Sequence, residues 1–272
     1  MSFDYDQYLR LDKFPTIFCP GCGDGIILKA TLRAIDHIGL DKDQVMMVSG
    51  IGCSSRTSGY VDVNTLHTTH GRALTFATGI KMARPDLHVI VITGDGDCTA
   101  IGGNHLIHAA RRNIDITVLL FNNWIYGMTG GQVSPATPTG DRASTAPFGS
   151  IEPNFDIVQL AKGAGASFAA RETVAKPIPL ERVIEKAIRK KGFSLVEIMT
   201  PCPTMYGRRN KAGDGVQMIE YLKDHSVSQA RYAQLEDDEE KDDAIVTGTF
   251  VDEERPEYTD EYRKLVERVR AH

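Results

Sequence analysis

The chain has 272 residues, of which 42% are apolar, and this is enough to bury one substantial core. Its 31 basic and 36 acidic residues leave a formal charge of −5, which argues against general nucleic-acid binding because such proteins favour a basic face. No apolar run is long enough to cross a bilayer, and the first residues are too polar for a secretory signal, so we expect a cytoplasmic protein without membrane attachment. In that compartment the five cysteines would be reduced, metal-bound or catalytic.

The spacing of apolar residues predicts strands and helices that alternate along the chain. The predicted strands cover residues 44–48, 87–92, 116–121 and 193–198. The predicted helices cover residues 26–38, 71–83, 103–112 and 180–190. Alternation of this kind implies right-handed crossovers, and it therefore predicts an α/β fold with a doubly wound parallel sheet.

The remaining segments are less regular. Residues 129–150 are rich in Gly, Pro, Thr and Ser, and we expect a long functional loop over one edge of the sheet. Residues 236–243 form an acidic run that is typical of a solvated linker. One apolar stripe lies on a short final helix and consists of Tyr262, Leu265, Val266 and Val269. We therefore predict a main α/β domain over residues 1–232, followed by an acidic linker and a C-terminal helix over residues 233–272.

Two polar motifs follow predicted strands, the sequence GDGD at residues 94–97 and the sequence NN at residues 122–123. Both should lie at the carboxyl edge of the parallel sheet, where open α/β folds bind ligands. Magnesium prefers oxygen ligands, usually one or two protein groups together with phosphate oxygens and water. Asp95 offers a carboxylate, Asn123 an amide oxygen and Ile125 a backbone carbonyl to the same ion.

The surroundings of these motifs suit a phosphate group. Gly94 and Gly96 would let the backbone pass close to the phosphates. The helix that starts near residues 102–103 would add N–H groups and a favourable dipole. Taken alone, GDGD could be only a tight turn and NN only a cap at a strand end. A GDG motif followed by NN at this separation, however, resembles the thiamine diphosphate pattern of thiamine enzymes and favours a magnesium–diphosphate site.

Four of the five cysteines lie in loops beside predicted elements: Cys19 and Cys22 in CPGC, Cys53 in IGC, and Cys202 in PCP. Four thiolates from three loops can surround a [4Fe–4S] cluster. They can also hold a tetrahedral structural zinc, and the CxxC pair alone could be redox-active. These alternatives stay open on the residues alone. The fifth cysteine, Cys98, is interpreted as a small buried residue beside the phosphate site.

Long strings of the sequence resemble the β-subunit of 2-oxoacid:ferredoxin oxidoreductases. The strings are FCPGCGDG, SGIGCSSR, HTTHGRALTFATGIKMA, VITGDGDCTAIGGNHLIHAARRNIDITVLLFNNWIYGMTGGQ and PCPT. The resemblance covers residues 14–225 and leaves out the acidic tail. Within the family, the chain is most similar to the two-subunit 2-oxoglutarate enzymes of bacteria.

The resemblance implies a set of cofactor ligands. The family's four [4Fe–4S] cysteines match Cys19, Cys22, Cys53 and Cys202, and its ligands to Mg²⁺ and thiamine diphosphate match Asp95, Asn123 and the carbonyl of Ile125. The wider set expected to bind the cofactor is Gly52, Cys53, Ser54, His70, Gly94, Asp95, Gly96, Asp97, Cys98, Asn123, Ile125, Gly127, Met128 and Thr129.

Two further residues are candidates for catalysis. Arg56 matches a position where a basic residue faces the 2-oxoacid in related enzymes, and a guanidinium fork suits a carboxylate. The alternative for Arg56 is an ordinary surface arginine. His70 matches a family motif near the cofactor, and the alternative for it is a capping or hydrogen-bonded histidine without a catalytic role.

The resemblance also implies the reaction and the partners. The family converts a 2-oxoacid and coenzyme A to acyl-CoA and carbon dioxide, or the reverse, and passes electrons through the cluster to ferredoxin. Thiamine enzymes need a glutamate from a second domain at the aminopyrimidine ring, and the chain has no room for that domain. We therefore expect an α-subunit that supplies the glutamate and much of the coenzyme A site, in a dimer of αβ pairs.

Arg208, Arg209 and Lys211 follow Cys202 closely and are candidates for a basic rim that docks an acidic ferredoxin. An ordinary solvated face is the alternative.

Two other functions stay open for the chain as a whole. One is a non-redox subunit of a thiamine diphosphate-dependent decarboxylase whose cysteines bind nothing. The other is a zinc- or cluster-binding redox module that keeps a vestigial cofactor fold.

Overall fold

In the computed structural model, which describes residues 3–271, the strands form one sheet of eight and one ribbon of two. The strands are β1 (Val45–Ser49), β2 (Asn64–His67), β3 (His88–Gly94), β4 (Thr117–Asn122), β5 (Ile125–Tyr126), β6 (Gln132–Val133), β7 (Phe168–Thr173), β8 (Ser194–Met199), β9 (Ser226–Ser228) and β10 (Ile245–Asp252). The large sheet has the order β2-β1-β3-β4-β8-β7-β10-β9, and β5 pairs with β6.

Helices connect the strands and cover both faces of the sheet. They are α1 (Asp24–Ile38), α2 (Thr57–Tyr60), α3 (Ala73–Ala83), α4 (Gly103–Arg111), α5 (Ile157–Ala164), α6 (Pro177–Arg189), α7 (Arg208–Asn210), α8 (Gly215–Asp224), α9 (Gln229–Tyr232), α10 (Asp238–Asp242) and α11 (Tyr258–Arg270). Short 3₁₀ turns occupy Asp6–Tyr8, Leu11–Lys13, Lys42–Gln44 and Ser54–Arg56, and single π turns occupy Asp97–Ile101 and Pro203–Gly207. None of the helices within residues 3–271 combines the length and apolar character that a bilayer span requires.

The central strands are apolar on both faces because each face has its own helical layer. In β3, Ile90 and Ile92 belong to the apolar cluster that contains α1 and α6. Their neighbours Val89 and Val91 belong to the cluster that contains α3, α4 and α5. Successive side chains of a strand point to opposite faces, so a strand buried on both sides reads as an unbroken apolar run. The prediction of an α/β fold with a doubly wound parallel sheet is confirmed, and the observed sheet is mostly parallel, with β10 antiparallel to β7.

The end of the chain differs from the expected linker and helix. Strand β10 joins the main sheet beside β7 and runs antiparallel to it, with a bulge between Thr249 and Val251. The acidic run predicted as a linker includes the short helix Asp238–Asp242, and the final helix Tyr258–Arg270 is present. Sequence analysis missed β10 because its residues are mostly half-buried and Gly248 interrupts the run. The expected division of the chain at residue 232 stays a prediction.

The sheet brings the polar loops to one edge. In the sheet order, β1, β3, β4 and β8 are successive neighbours and pair in parallel. The loops that leave their carboxyl ends therefore emerge side by side. These loops carry Cys53 after β1, Asp95 after β3, Asn123 after β4 and Cys202 after β8.

A buried asparagine ties the C-terminal segment to the body of the domain. Asn113 adopts a left-handed backbone (φ 52°) and is 4% exposed. Its Nδ2 donates to the carbonyls of Arg255 and Pro256 at 3.3 and 3.0 Å. Its Oδ1 accepts from the N–H of Phe193 at 2.7 Å and from Ser167 Oγ at 2.9 Å. One amide therefore joins the start of β8 to the segment that precedes α11.

Replacing this amide should destabilise the fold. Asn113→Ala removes four hydrogen bonds and leaves the buried N–H of Phe193 without a partner, so the free energy of unfolding should fall by at least about 2 kcal/mol. Urea denaturation measures the change. Asn154→Ala is the control at an exposed position and should change the free energy by no more than about 0.5 kcal/mol. Equal effects of the two substitutions would contradict the assigned role of Asn113.

Candidate cofactor site

Two cavities lie side by side at the carboxyl edge of the sheet. The first has a volume of about 550 Å³ and contains most of the residues expected to bind the cofactor. Its lining consists of Asp24, Ile51, Gly52, Cys53, Ser54, His70, Gly94, Asp95, Gly96, Asp97, Phe121, Asn123, Ile125, Tyr126, Gly127, Met128 and Thr129. The loops after β1, β3 and β4 form most of this wall, as the spacing of the GDGD and NN motifs predicts.

The second cavity brings together the four cysteines that the sequence singled out. It has a volume of about 730 Å³. Its lining consists of Ile17, Phe18, Cys19, Cys22, Cys53, Asn123, Gly127, Met128, Cys202, Pro203, Thr204 and Met205. Cys19 is exposed and the other three are partly covered, so the cavity opens to the surface beside Cys19.

The two cavities share one wall, formed by Cys53, Asn123, Gly127 and Met128. A Cβ atom added at Gly127 would lie 3.5 Å from Cys202 Sγ and 3.6 Å from Cys53 Sγ. The backbone of Gly127 therefore passes directly beside two of the sulfurs. Two groups bound in the two cavities would therefore be separated only by this wall.

Asp95 is the buried carboxylate of the first cavity. It is 3% exposed, and its Oδ2 accepts a hydrogen bond from Ser134 Oγ at 2.5 Å. The pKa of Asp95 is raised to about 7, mainly by burial and to a smaller extent by the charge of Glu197, while the bonds from Ser134 and from the N–H of Gly96 oppose the rise. A cation in the cavity would favour the ionised form, so the site is chemically suited to a metal ion.

The turn after β4 aims the second oxygen donor. Asn123 and Ile125 flank Trp124, which has a left-handed backbone with φ of 62°. The N–H of Ile125 donates to Asn123 Oδ1 at 3.2 Å, and Thr137 Oγ1 donates to the carbonyl of Trp124 at 2.5 Å. Asn123 and Ile125 both line the first cavity near Asp95, so this turn could present both of their oxygens to a metal ion there.

A buried ion pair supports this turn from behind. Asn122 Nδ2 donates to Glu197 Oε1 at 2.7 Å, and Asn122 Oδ1 accepts from the N–H of Trp124 at 3.1 Å. Arg171 Nε donates to the other oxygen, Glu197 Oε2, at 2.7 Å, and its NH2 group bonds Asp156 at 2.7 Å. These hydrogen bonds from Arg171 on β7 and Glu197 on β8 thus fix Asn122, the residue at which the turn begins.

The sulfurs of the second cavity lie in a poorly solvated environment. Burial raises the pKa of the Cys53 thiol to about 12 and also raises the pKa values of Cys22 and Cys202. The N–H groups of Tyr206 and Met205 point to the Cys202 sulfur and oppose the rise in its pKa. Without a metal, these three cysteines are neutral thiols at pH 7.

The loop of Cys19 and Cys22 is held by a contact between glycines. Gly21 has a left-handed backbone (φ 80°), and a Cβ added there would lie 2.9 Å from the Cα of Gly215 at the start of α8. The loop can therefore approach the start of α8 this closely only with glycine at this position. Among residues 3–271, no group of three or more His, Cys, Asp or Glu side chains is arranged to hold a single metal ion.

Asp24 is a functional candidate that the sequence analysis missed. It is 1% exposed and lines the first cavity, and its Oδ2 has no hydrogen-bond partner within the described chain. Burial raises the pKa of Asp24 to about 6. Its charge in turn raises the pKa values of Cys22, Cys53 and Cys202, so this carboxylate lies close to both cavities.

Four more residues at or beside the first cavity were missed, and one of them is Ile51, an apolar residue of its lining. Tyr126 lies inside the NNWIYG string and donates from its hydroxyl to the carbonyl of Gly96 at 3.0 Å. Ser134 lies in the loop that was expected to be functional, but nothing in the sequence marks it as the partner of Asp95. Phe121 was predicted only as the apolar end of a strand.

Some predicted residues lie outside the cavities. Cys98 is 2% exposed and packs in the apolar cluster with α3 and α4, as its interpretation as a small buried residue expects. Arg56 is exposed and does not line either cavity. It lies close to His67, whose pKa is lowered mainly by burial and also by the charge of Arg56. Arg209 donates to the carbonyl of Gly130 at 3.1 Å, so of the predicted basic rim only Arg208 and Lys211 are exposed.

Comparison with known proteins places this architecture among thiamine enzymes. The family model for the C-terminal, thiamine pyrophosphate-binding domain of thiamine pyrophosphate enzymes matches residues 47–198. The 2-oxoglutarate synthase subunit KorB of Methanocaldococcus jannaschii is 52% identical over 97% of this chain and 98% of its own length. The 2-oxoacid:ferredoxin oxidoreductase 1, subunit beta, of Aeropyrum pernix is 40% identical over 88% of this chain and 70% of its own length.

A solved structure agrees with these relatives. The 2-oxoglutarate:ferredoxin oxidoreductase from Magnetococcus marinus, with 2-oxoglutarate, coenzyme A and succinyl-CoA bound, has a TM-score of 0.87 to this chain. The two sequences are 32% identical, and the match covers 100% of this chain and 92% of that one.

The support behind the turn can be tested through Glu197. In the wild type, Arg171 and Asn122 each donate to a different carboxylate oxygen of Glu197. Glu197→Gln leaves only one acceptor oxygen, so either the buried guanidinium of Arg171 or the amide of Asn122 loses its hydrogen-bond acceptor. We expect the free energy of unfolding to fall by about 3 kcal/mol, as for other broken buried pairs. Asp156→Asn is the matched control, since Asp156 is the 49%-exposed partner of the same arginine, and it should cost less than about 1 kcal/mol. Urea denaturation that shows equal losses would contradict this assignment.

Proposed function

The chain belongs to the β-subunits of 2-oxoacid:ferredoxin oxidoreductases, and from this we propose that it holds both thiamine diphosphate and a [4Fe–4S] cluster for such an enzyme. The observation that carries the proposal is the pair of adjacent cavities. One contains the oxygen donors suited to a magnesium–diphosphate group, the other contains four cysteines, and both share the wall of Cys53, Asn123, Gly127 and Met128.

The first cavity fits magnesium and a diphosphate. The carboxylate of Asp95, the amide oxygen of Asn123 and the carbonyl of Ile125 would be the protein ligands of Mg²⁺, with phosphate oxygens and water completing the shell. Gly94 and Gly96 lie on the same wall and offer backbone without side-chain bulk. When bound, thiamine diphosphate would supply the carbanion chemistry, and the protein would orient it and exclude water.

The second cavity fits an iron–sulfur cluster better than zinc. A single zinc ion needs its four ligands closed around one point, whereas within residues 3–271 no three or more His, Cys, Asp or Glu side chains are arranged to hold one ion. Cys19, Cys22, Cys53 and Cys202 would be the ligands of the cluster. Because burial keeps three of these thiols protonated, loading the cluster must release protons as iron stabilises the thiolates.

The shared wall explains why one chain would carry both groups. Electrons that leave the substrate singly need an acceptor close to the reacting carbon, and the cluster cavity begins where the thiamine cavity ends. We propose 2-oxoglutarate as the 2-oxoacid, coenzyme A as the co-substrate and ferredoxin as the electron carrier, in line with the names of the relatives. Arg56 is proposed to face the substrate carboxylate in the assembled enzyme.

An α-subunit is the remaining part of the proposal. The chain contains one thiamine pyrophosphate-binding domain, over residues 47–198, and the glutamate that contacts the aminopyrimidine ring is expected on the partner. We therefore propose a dimer of αβ pairs in which the isolated chain binds the cofactors without turning over the 2-oxoacid. Arg208 and Lys211, which follow Cys202 in the chain and are exposed, are the candidates for contact with an acidic ferredoxin.

The cluster is tested by metal content and by electron paramagnetic resonance. Protein purified without oxygen should contain about four irons and four sulfides per chain and show a reduced-cluster signal after addition of dithionite. Cys19→Ser should lose that signal, because it removes one ligand. Cys98→Ala is the control, since Cys98 is buried away from the cavity and its loss should leave the iron in place. Stoichiometric zinc, or no metal in anaerobic protein that still binds thiamine diphosphate, would instead support the non-redox decarboxylase subunit.

Magnesium binding is tested through the titration of Asp95. Because Mg²⁺ needs the carboxylate and burial raises the pKa of Asp95 to about 7, affinity should rise with pH and level off above that value. Calorimetry of Mg²⁺–thiamine diphosphate binding in buffers of different ionisation enthalpy should show roughly 0.9 proton released by Asp95 at pH 6 and roughly 0.1 at pH 8.

Asp95→Asn serves as the reference for that measurement. It should weaken binding at least tenfold at pH 8 and abolish the extra proton release at pH 6, which separates Asp95 from the titration of the cofactor itself. The fluorescence of Trp124, the single tryptophan of the chain, offers a second readout because it lies between the two ligand residues. Unchanged affinity in Asp95→Asn would contradict the magnesium assignment.

A further inference from the structure

The final helix, α11, leaves one apolar face uncovered. Of its 13 residues, all of which the structure describes, only Thr259 is buried. Four large apolar side chains of the helix are between 38% and 64% exposed: Tyr258, Tyr262, Leu265 and Val269. They follow one another at spacings of four, three and four residues, so they lie along one side of the helix. We refer to these four residues as the exposed stripe.

The helix is fixed to the domain mainly through its first turn. Glu257 caps it by accepting from the N–H groups of Thr259 and Asp260 at 2.8 and 3.0 Å. Beyond Asp260 only Val266 is half-buried, and the other residues of the helix are exposed. A helix of this length is marginal in water on propensity alone, and most helical stability in proteins comes from packing of an apolar face. The exposed stripe is therefore a surface that a partner would cover.

We propose that the exposed stripe packs against the same stripe of a second copy of the chain, with the two helices antiparallel. Spacings of three and four residues are typical of the contact line between paired helices. The order of these spacings is the same in both directions along the helix. In an antiparallel pair, Tyr258 of one copy therefore lies opposite Val269 of the other, and Tyr262 lies opposite Leu265. Each aromatic ring then meets an aliphatic side chain, and one surface serves both copies, as a twofold interface requires.

The charges beside the stripe favour this partner and this direction. Glu261 directly precedes Tyr262, and Arg268 directly precedes Val269, so the two charged residues flank the stripe on the same side. In an antiparallel pair of copies, the Glu261 side chain of each copy lies beside the Arg268 side chain of the other, and two ion pairs form. In a parallel pair the residue beside Glu261 would be Val266, and these charges would not meet.

This contact goes beyond the proposed function and does not rest on it. The residues of α11 line neither of the two cavities, so the contact needs neither cofactor. It would be the twofold contact in a dimer of αβ pairs. Two helices of about 20 Å in length cover less than the roughly 1,600 Å² of a standard interface, so isolated chains should form a weak dimer.

Analytical ultracentrifugation of the full-length chain measures this association. At a chain concentration on the order of 100 µM and low ionic strength, the wild type should form a dimer that dissociates on dilution. Leu265→Asp places a charge in the middle of the stripe and should raise the dissociation constant at least about tenfold.

The direction of the helices is tested by exchanging the charges. Glu261→Arg sets like charges against each other at both ends of the contact and should raise the dissociation constant at least about tenfold. Adding Arg268→Glu to the same chain should bring it back to within about threefold of the wild type, because both ion pairs form again with their signs reversed. Glu267→Arg is the control, since it makes the same charge change at an exposed position away from the stripe, and it should leave the association unchanged.

The other outcomes would overturn the proposal. A wild-type chain that stays monomeric at that concentration contradicts it, and so does a double variant as weak as Glu261→Arg alone. If Leu265→Asp leaves the dimer intact but prevents assembly with the α-subunit, the α-subunit covers the stripe and the proposal is wrong. Should Leu265→Asp fail to fold, the charge variants at exposed positions still decide. Failure of the proposed function looks different, because the wild-type chain would then lack the cluster or fail to bind thiamine diphosphate.

Discussion

The turn from Asn122 to Ile125 is the constraint on which the rest of the site depends. The backbone must take a left-handed conformation at Trp124, which for a bulky residue costs of order 1–3 kcal/mol and persists only when its surroundings fix it. The surroundings of Trp124 fix it through two hydrogen bonds. Asn122 Oδ1 accepts one from the N–H of Trp124, and Thr137 Oγ1 donates the other to the carbonyl of Trp124. The Trp124 ring packs on Tyr206 at 5.2 Å between centroids, which links the turn to the loop of Cys202.

This linkage gives the two cavities one support. The residue next to Trp124, Asn123, belongs to the shared wall, and Tyr206 belongs to the π turn that follows Cys202. A displacement of the turn would therefore move an oxygen donor of the first cavity and a sulfur of the second together. Buried carboxylates surround this wall, with Asp95 and Asp97 on one side and Asp24 close to three of the cysteines. Positive charge is needed to balance them, and a magnesium ion in the first cavity would supply part of it.

The sequence was most informative where one motif follows one buried strand. The apolar runs of β3 and β4 predicted the central sheet, and the polar residues after them predicted its carboxyl edge, because both depend on local pattern and on the general topology of parallel sheets. The cysteines could be grouped in the same way. Partners that come from distant segments escaped, such as Ser134 on Asp95, because no local pattern encodes a contact across the loop.

The other misses have physical causes of the same kind. Strand β10 has a mixed, half-buried pattern and pairs with β7 far away in sequence, so its residues did not resemble the buried strands of the centre. Asp24 lies close to Cys22 in the chain. It was missed because it is a candidate only through its burial, which the polar sequence CPGCGDG does not indicate. Arg56 shows the opposite limit, because a motif predicted a role for it whereas the side chain is exposed and lines neither cavity, so that role stays a prediction.

We propose that one chain holds thiamine diphosphate and a [4Fe–4S] cluster on opposite sides of a single wall. Anomalous diffraction at the iron absorption edge tests it most directly, on crystals of the αβ complex purified without oxygen in the presence of Mg²⁺ and thiamine diphosphate. We expect one iron cluster among Cys19, Cys22, Cys53 and Cys202, with the diphosphate against Asp95 and Asn123 in the neighbouring cavity. A zinc signal at the cysteines, or thiamine diphosphate bound away from Asp95, would contradict it.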